Sequence, residues 1–379
     1  MKSLLIVTTI PATLRAFFIP ITHHFQSQGW RVDGMAKEIS ASPECLKAFN
    51  QVWDVELSRN PLKPQNLMVA LQQIQKVVEK EKYDLVLVST PVAAFVTRFA
   101  LNGLRKQGKL KIVYTAQGFH FYRGGAAARN AIFLTLEKLA GQWTDYLVVV
   151  NREDEEAAKR YHLVPDERVR YIPGTGLNVA RFNPNAIPEA EVVRVRQELG
   201  IPIEAPLFLS VAEFIARKRP WDILKAFARL ERTDAHLAFA GTGLLFDEMQ
   251  QLASRLDIQD RVHFLGLRKD IPVLMLASTA TILASDQEGL PNCVMESLCM
   301  GTPAIGTEIR GTKDLLEGGC GILVKVGDVE GFTRAMSWML DHPEETKSMG
   351  KCGQEQIVPY KLEHILQQYQ ALFAEVLQK

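Results

Sequence analysis

The sequence lacks the short motifs that bind phosphates in several common enzyme classes. No G-x-G-x-x-G follows the first apolar run, which ends in TTIPATLR at residues 8–15, so a dinucleotide-dependent oxidoreductase is not supported. The chain has no G-x-x-x-x-G-K-[ST], which excludes P-loop chemistry, and no G-x-S-x-G of the hydrolase type. It also lacks Asp-x-Asp, which weakens the case for a metal-chelated nucleotide. We therefore expect a site without a metal ion.

Long apolar runs and paired cysteines are missing as well. A membrane-spanning helix needs about 18 or more consecutive apolar residues, and no window offers them. The first ten residues contain one lysine and no cleavage-site pattern, so we expect no signal peptide. Five cysteines are an odd number, and none forms a C-x-x-C pair. They are Cys45, Cys293, Cys299, Cys320 and Cys352. We expect reduced thiols in a cytoplasmic protein rather than disulfides or a zinc site.

Acidic residues are absent between Asp84 and Glu137, although the whole chain has a net charge of only +1. The basic residues of this stretch are Arg98, Arg105, Lys106, Lys109, Lys111, Arg123 and Arg129. They could form an ordinary solvated face. They could also bind an anionic partner, such as a phosphorylated acceptor or the inner face of the plasma membrane. Nucleic acid is not expected, because no nucleic-acid-binding motif accompanies the charge.

The length and the apolar pattern predict an α/β fold with two doubly wound domains. A chain of 379 residues suggests two domains of about 150–200 residues. Short runs rich in Val, Ile and Leu are typical of buried parallel strands, with helical stretches between them. These runs lie at 3–9, 84–90, 111–116, 145–150, 207–212, 235–241, 261–266, 279–284 and 302–307. The linker-like segment at 181–190 separates Rossmann-like domains at 1–183 and 184–359. Ligand should bind in a central cleft that the two domains face.

The segment DQEGLPNCVMESLCMGTP, at residues 286–303, contains two glutamates around the start of a predicted helix. Pro291 is suited to the first helical position, and Gly301 to the C-terminal end. The free N–H groups at such a helix start favour an anion such as a diphosphate. Glu296 lies in an apolar stretch of the helix, where its carboxylate needs a polar partner, and two sugar hydroxyls would provide one.

These residues resemble a known family. The pair Glu288 and Glu296 in an E-x7-E spacing, with Gly289-Leu290-Pro291 and the closing GTP, is similar to the signature of the retaining glycosyltransferases of family 4, which have the GT-B fold. Further segments match in the expected order: YTAQGFHFYRG (114–124), RYIPGTGLNVARF (170–182), SVAEFIARKRPWDILKAF (210–227), AGTGLL (240–245), VHFLGLRKDIPVLM (262–275) and RGTKDLLEGGCGILVKVGD (310–328). The first of these is close to the form in bacterial capsule and exopolysaccharide transferases. In many such enzymes the last helix, here about 360–379, packs back on the N-terminal domain.

The resemblance implies a role for each matching residue. Glu288 would contact the donor sugar near its anomeric carbon, Glu296 would hold the ribose, and Lys218 would neutralise the leaving diphosphate. The remaining donor-side residues would be Arg217, Gly241, Gly243, Leu267, Arg268, Gly289, Leu290, Pro291 and Asn292, of which Pro291 has no N–H to donate. Thr9 and Gln117 would lie on the acceptor side. The nucleotide sugar, by default a UDP-sugar, is then a substrate, and no cofactor is implied.

Two positions depart from the pattern of the family. Glu213 stands where an arginine is common, so it must turn away, and Arg217 or Arg219 would supply the second positive charge. Gln117 stands where many members have histidine. Glutamine can bond a hydroxyl but cannot shuttle a proton, and His120 is the nearest substitute.

The expected activity is retaining transfer of a sugar to a glycan or a lipid-linked acceptor in polysaccharide biosynthesis. The enzyme would be cytoplasmic, or peripheral on the inner face of the membrane. Two alternatives stay open at this point. A GT-B epimerase would need positioned acids and bases, whereas an inactive nucleotide-sugar-binding partner of another transferase would be compatible with Glu213 and Gln117.

Overall fold

The chain forms two compact units in a computed structural model that describes residues 1–58, 60, 63 and 65–378. The first unit is Met1–Gly176 together with the helix that begins at Leu362, and the second unit is Leu177–Lys361. Residues 177–183, which the sequence analysis placed in the N-terminal domain, belong to the second unit because Leu177 and Phe182 are buried in its core.

The first unit is a parallel sheet with helices between its strands. Its strands are β1 (Ser3–Val7), β2 (Arg31–Ala36), β3 (Val52–Asp54), β4 (Leu85–Ser89), β5 (Lys111–Ala116), β6 (Tyr146–Val149) and β7 (Val169–Tyr171). Its helices are α1 (Pro11–Phe17), α2 (Ile19–Ser27), α3 (Pro43–Ala48), α4 (Gln65–Glu81), α5 (Pro91–Lys106), α6 (Ala127–Gly141) and α7 (Arg152–Arg160). The seven strands lie in the order β3-β2-β1-β4-β5-β6-β7. Every residue of β1 and β4 is buried, as their continuous apolar sequences predict.

The second unit repeats this architecture with six strands. They are β8 (Leu207–Val211), β9 (His236–Ala240), β10 (Val262–Phe264), β11 (Ala280–Leu283), β12 (Ala304–Thr307) and β13 (Gly321–Val324). The helices are α8 (Glu189–Glu198), α9 (Pro220–Ala228), α10 (Phe246–Arg255), α11 (Ile271–Leu276), α12 (Asn292–Cys299), α13 (Thr312–Leu316), α14 (Val329–Asp341) and α15 (Pro343–Gln356). The strands lie in the order β10-β9-β8-β11-β12-β13, and all neighbours are parallel. The prediction of two α/β Rossmann-like domains is confirmed.

The last helix, α16 (Leu362–Gln378), packs in the core of the first unit. Its fully buried side chains include Ile365, Tyr369 and Phe373, and the Phe373 ring stacks on Phe25 at a centroid distance of 4.8 Å. Each such side chain contributes roughly 1.5–3 kcal/mol on burial, so α16 is part of the first unit's core although it is last in the sequence. Residue 379 of the predicted helix lies outside the described residues.

Two cysteines form a disulfide, which corrects the prediction of five reduced thiols. Cys320 precedes β13 and Cys352 lies on α15, and their Cα atoms are 5.2 Å apart. Packing of α15 near the start of β13 brings together residues that are 32 positions apart, and no short motif announces such a pair. Cys45, Cys293 and Cys299 are free thiols.

The basic stretch between Asp84 and Glu137 is only partly a solvated surface. Arg98 is 2% exposed, donates to the Glu137 carboxylate at 3.1 Å and lies over the Tyr114 ring. Arg105 donates to Asp145 at 3.0 Å. The expectation that Arg98 belongs to an anion-binding face is therefore wrong, because acids outside the stretch neutralise it. Across the described residues, we find no helix with both the length and the apolar character needed to span a membrane.

Candidate functional site

The predicted donor residues gather where two neighbouring strands of the second unit end. β8 and β11 are adjacent and parallel, so the loops that follow them leave the same edge of the sheet. From β8 the chain continues to β9 on one side, and from β11 to β12 on the other. The boundary between β8 and β11 is thus the topological switch point, where doubly wound sheets bind ligands.

Three charged side chains from these two loops meet at the switch point. Lys218, in the loop after β8, donates to the carboxylate of Glu288, in the loop after β11. The guanidinium of Arg217 lies 3.1 Å from the same carboxylate oxygen. Burial would raise the pKa of Glu288, but the charges of Lys218 and Arg217 outweigh it and hold this pKa below its usual range. At neutral pH the Glu288 carboxylate is therefore ionised and faces the two basic side chains.

The turn that carries the two cations also holds the main chain of the loop after β11. The Arg217 guanidinium donates to the Gln287 carbonyl, and the Asp286 N–H donates to the Arg217 carbonyl at 2.9 Å. Arg217 thus contacts its neighbouring loop through both side chain and backbone. This double contact fixes the distance between the two loops.

A second segment, at the end of β12, holds the same loop from its other side. The Thr307 hydroxyl donates to the Ser285 carbonyl at 2.5 Å, and Arg310 Nε donates to the Glu288 carbonyl at 3.0 Å. Arg310 lies in the matching segment 310–328 but was not predicted as a site residue. Its place in the site becomes clear only from the structure, in which it is buried beside Glu288.

Gly311 is required where this segment meets the Glu288 loop. Its φ is +74°, and a Cβ built at this position would lie 2.1 Å from the Gly289 carbonyl oxygen. Both the backbone conformation and the close approach therefore exclude a side chain.

The signature helix α12 begins directly after this loop. Pro291 is its N-cap residue, Asn292 is its first helical residue, and Gly301 follows its C-terminal end with a φ of +73°. The ends thus lie close to the positions predicted from Pro291 and Gly301. Leu290 is half-buried between the helix and the Glu288 loop.

Glu296 lies one turn into α12 and is half-buried. Burial raises the pKa of its carboxyl group, and the charge of Arg181 partly offsets this effect. A buried carboxylate is stabilised by donors such as hydroxyl groups, so Glu296 has the environment expected for a residue that binds a hydroxylated ligand.

The remaining donor-side residues lie after β9 and β10, next to the switch point in the sheet. Gly241 N–H donates to the Gly266 carbonyl at 2.8 Å, and Gly243 lies two residues further on. Leu267 is exposed in the turn after β10. The side chain of Arg268 pairs with Asp270 at 2.7 Å, which leaves only its backbone for the predicted contact with a base.

The two departures from the family pattern resolve in part. Glu213 is exposed, and the expectation that it turns away from the diphosphate stays a prediction. Arg219 pairs with Asp222 at 2.6 Å, whereas Arg217 meets Glu288. Of the two arginines considered, Arg217 is the one that the structure brings to the site.

In the first unit, Thr9 lies at the equivalent switch point, between β1 and β4, and Gln117 follows the next strand of the sheet. Thr9 follows β1, and its N–H donates to the Thr90 hydroxyl at 3.0 Å, while the two hydroxyl oxygens are 2.7 Å apart. Thr90 was not predicted, and its φ of +69° is rare for a β-branched residue. Gln117 follows β5, and its Nε2 is buried without a hydrogen-bond partner among the described residues. The His120 ring packs 5.0 Å from Phe133.

Comparison with known proteins identifies the class. Residues 20–175 match the family description "Glycosyl transferase 4-like domain", and residues 193–356 match "Glycosyl transferases group 1". EpsD of Bacillus subtilis (strain 168), named as a glycosyltransferase, is 31% identical over 93% of this chain and 91% of its own length. "UDP-Gal:alpha-D-GlcNAc-diphosphoundecaprenol alpha-1,3-galactosyltransferase" of Escherichia coli is 26% identical over 72% of this chain and 70% of its own. The solved structure of Anabaena Alr3699/HepE in complex with UDP superposes with a TM-score of 0.80 at 18% identity and covers 99% of this chain and 100% of its own.

The chain therefore belongs to the family-4 glycosyltransferases and has the GT-B fold. Members of this family transfer a sugar from a nucleotide sugar to an acceptor. The epimerase and the inactive binding partner are not favoured.

The close contact at Gly311 yields a test of the loop packing. We expect Gly311→Ala to destabilise the protein more than Gly319→Ala does. Gly319 also has a positive φ, of +84°, but a Cβ there meets nothing within 4 Å, so only strain of about 1–2 kcal/mol applies. At Gly311 overpacking adds about 1–3 kcal/mol. Urea unfolding of the two variants measures the difference, and equal midpoints would show that the two loops are not packed as described.

Proposed function

We propose that the protein transfers a sugar, with retention of configuration and without a metal ion, from a UDP-sugar to a lipid-diphosphate-linked acceptor in polysaccharide biosynthesis. The observation that carries the proposal is the group formed by Lys218, Arg217 and Glu288 at the switch point of the second unit. It combines two cations for a diphosphate with one carboxylate for sugar hydroxyls.

The donor side supports a nucleoside diphosphate as leaving group. Lys218 and Arg217 supply positive charge, and the non-proline amides of residues 289–292 can donate to the sugar and the diphosphate. Glu296 would accept from the ribose hydroxyls, and the backbone of Leu267 and Arg268 would meet the base beside Gly241 and Gly243. UDP as the nucleotide is supported by the names of the Escherichia coli relative and the Anabaena structure.

The same cations make a metal ion unnecessary in this scheme. Charge grows on the diphosphate as the bond to the sugar breaks, and a preorganised Lys218 stabilises it at no cost of reorganisation. For retention, the acceptor hydroxyl would attack on the face from which the diphosphate leaves. A diphosphate oxygen would then take the acceptor's proton, with His120 as the side chain that could do so instead. No further cofactor is required.

The proposed acceptor is supported by Thr9 and Gln117 and by the names of relatives. The buried amide of Gln117 and the Thr9–Thr90 pair offer donors and acceptors for hydroxyl or phosphate groups. A lipid-linked acceptor is supported by the relative whose name includes diphosphoundecaprenol. Such acceptors are intermediates of polysaccharide assembly at a membrane, as in capsule or exopolysaccharide synthesis.

A panel of nucleotide sugars tests this function. We expect one UDP-sugar to yield free UDP by transfer or slow hydrolysis, with the α-anomer retained in the product, and equal rates with excess EDTA. Lys218→Ala should lower the rate roughly 100-fold, the scale for one preorganised stabilising group. Loss of turnover in EDTA that Mn²⁺ restores would contradict the metal-free scheme, and an altered sugar on intact UDP would indicate an epimerase.

A membrane-binding face is part of the proposal, and we assign it to helix α6 rather than to the basic residues alone. Only Ala140 and Gly141 of this 15-residue helix are buried. Ile132, Leu136 and Leu139, at helical spacing, form one exposed apolar stripe, in which Ile132 is 60% exposed. Trp143 follows the helix and packs against Phe99 at 5.1 Å. We call these five residues the α6 face.

The charge around the α6 face favours an anionic lipid surface over a second protein. Arg129 and Lys138 on α6, Lys106 at the end of α5 and Lys109 just after it are exposed, and acids are absent from residues 85–136. An apolar stripe flanked by basic residues is the pattern of helices that lie in a membrane interface. Each lysine near an anionic surface contributes about 1 kcal/mol.

Vesicle binding tests the α6 face. We expect binding to phosphatidylcholine vesicles that contain phosphatidylglycerol and none to phosphatidylcholine alone, with release at high salt. Lys106→Gln with Lys109→Gln should weaken binding roughly 30-fold, about 2 kcal/mol. Ile132→Ser with Leu136→Ser should also weaken it, whereas Leu46→Ser with Ile203→Ser, two exposed aliphatic residues elsewhere, should not. Equal loss in both serine pairs, or a concentration-dependent dimer instead of binding, would overturn this assignment.

A further inference from the structure

Arg310 is a buried arginine that contacts the main chain of Glu288. It follows β12, is 5% exposed and donates from Nε to the Glu288 carbonyl at 3.0 Å. Burying a guanidinium is costly unless its N–H groups are bonded, and the Glu288 carbonyl bonds the Nε–H of Arg310. Its neighbour Gly311 brings the segment into van der Waals contact with Gly289.

The two ends of Glu288 are held by different parts of the chain. The carboxylate is held by Lys218 and Arg217, from the loop after β8, whereas the carbonyl is held by Arg310, from the loop after β12. A bound diphosphate would compete with the carboxylate for Lys218 and Arg217. It would not compete for the Nε–H of Arg310, which already donates to a neutral carbonyl.

We propose that Arg310 is a positioning residue that keeps Glu288 in place when its carboxylate exchanges the two cations for sugar hydroxyls. The inference rests on the proposed function. Thr307 and the Arg217 carbonyl still hold Ser285 and Asp286 when the ion pair is lost on donor binding. Without the Arg310 contact, however, Glu288 itself could shift at the moment when its carboxylate must face the reacting sugar.

The chemistry of arginine fits this role better than charge alone. Guanidinium is planar and presents its N–H groups in a fixed fork, whereas a lysine ammonium is a flexible point charge. Arg310→Lys therefore keeps the charge and loses the geometry. If Arg310 acted as a third cation for the diphosphate, Arg310→Lys would bind UDP nearly as tightly as the wild type, and Arg310→Gln would bind it more weakly.

Arg196 provides a matched control in the same unit. It is 9% exposed and also donates to main-chain carbonyls, those of Pro202, Ala205 and Ala277, at 2.6–2.9 Å. None of these belongs to the site. Removing Arg196 therefore tests what losing a buried arginine does to the fold alone.

The experiment compares Gln and Lys variants at both positions with three readouts. These are UDP affinity by calorimetry, kcat and KM with the UDP-sugar that the wild type turns over, and hydrogen exchange of residues 284–292. For Arg310→Gln we expect kcat to fall about 100-fold, as for a misplaced group, with UDP affinity within about threefold of wild type. Exchange in 284–292 should quicken, and Arg310→Lys should behave nearly as Arg310→Gln does. The Arg196 variants should lower only the melting temperature.

Two results would overturn the inference. One is a kcat loss that is equal in the Arg310 and Arg196 variants, which would make both residues structural. The other is weaker UDP binding in Arg310→Gln that Arg310→Lys restores, which would make Arg310 a diphosphate ligand. Failure of the wild type to use any UDP-sugar would instead count against the proposed function, and hydrogen exchange would still test the positioning of the loop.

Discussion

The partly buried ion pair between Glu288 and Lys218 is the interaction on which the donor site depends. Glu288 is charged because Lys218 and Arg217 outweigh the cost of burial, and neither partner could stay buried alone. The adjacency of β8 and β11 brings the partners together, although they are 70 residues apart in the chain. The fold of the second unit thus places opposite charges at one edge of a sheet.

The neighbouring contacts hold this pair from two sides. Arg217 fixes the main chain of Gln287, and Arg310 fixes that of Glu288. An ion pair whose surroundings are fixed can exchange partners without moving the chain. In our account a diphosphate, with more negative charge than a carboxylate, takes the cations, and Glu288 then accepts from sugar hydroxyls in bonds of about 1.5–3 kcal/mol each. In the ligand-free site the Glu288 carboxylate therefore occupies the two cations that would bind the diphosphate.

Sequence reasoning predicted the buried strands and the residues that carry a signature. The runs at 3–9 and 84–90 could be predicted as strands because both faces of β1 and β4 are buried, which makes their sequences continuously apolar. No strand was predicted at β2, β3, β7 or β13. In β2, Asp33 and Gly34 are residue types uncommon in strands. There the Asp33 carboxylate accepts from Tyr83 at 2.5 Å, and a Cβ at Gly34 would meet Phe49 at 3.0 Å. Asp33 and Gly34 thus fit the strand through tertiary contacts, which leave no pattern in the local sequence.

The same limit applies to the site. The grouping of Glu288 with Lys218 followed from the family signature, but Arg310 and Thr90 act through partners 22 and 81 residues away. Arg98 looked like a surface charge because its partner, Glu137, lies just outside the acid-free stretch. The Cys320–Cys352 pair depends on the packing of α15. None of these features could be predicted from the sequence, because the contact that decides each one joins distant parts of the chain.

The most direct test of the account is the affinity of Glu288→Gln for UDP, measured by calorimetry against the wild type. Glutamine keeps the shape of the side chain and removes the charge that competes with the diphosphate. We predict that UDP binds to Glu288→Gln about tenfold more tightly, a gain of about 1.4 kcal/mol, although the variant turns over the donor more slowly. UDP binding that is unchanged or weaker would contradict the claim that Glu288 and the diphosphate share Lys218 and Arg217.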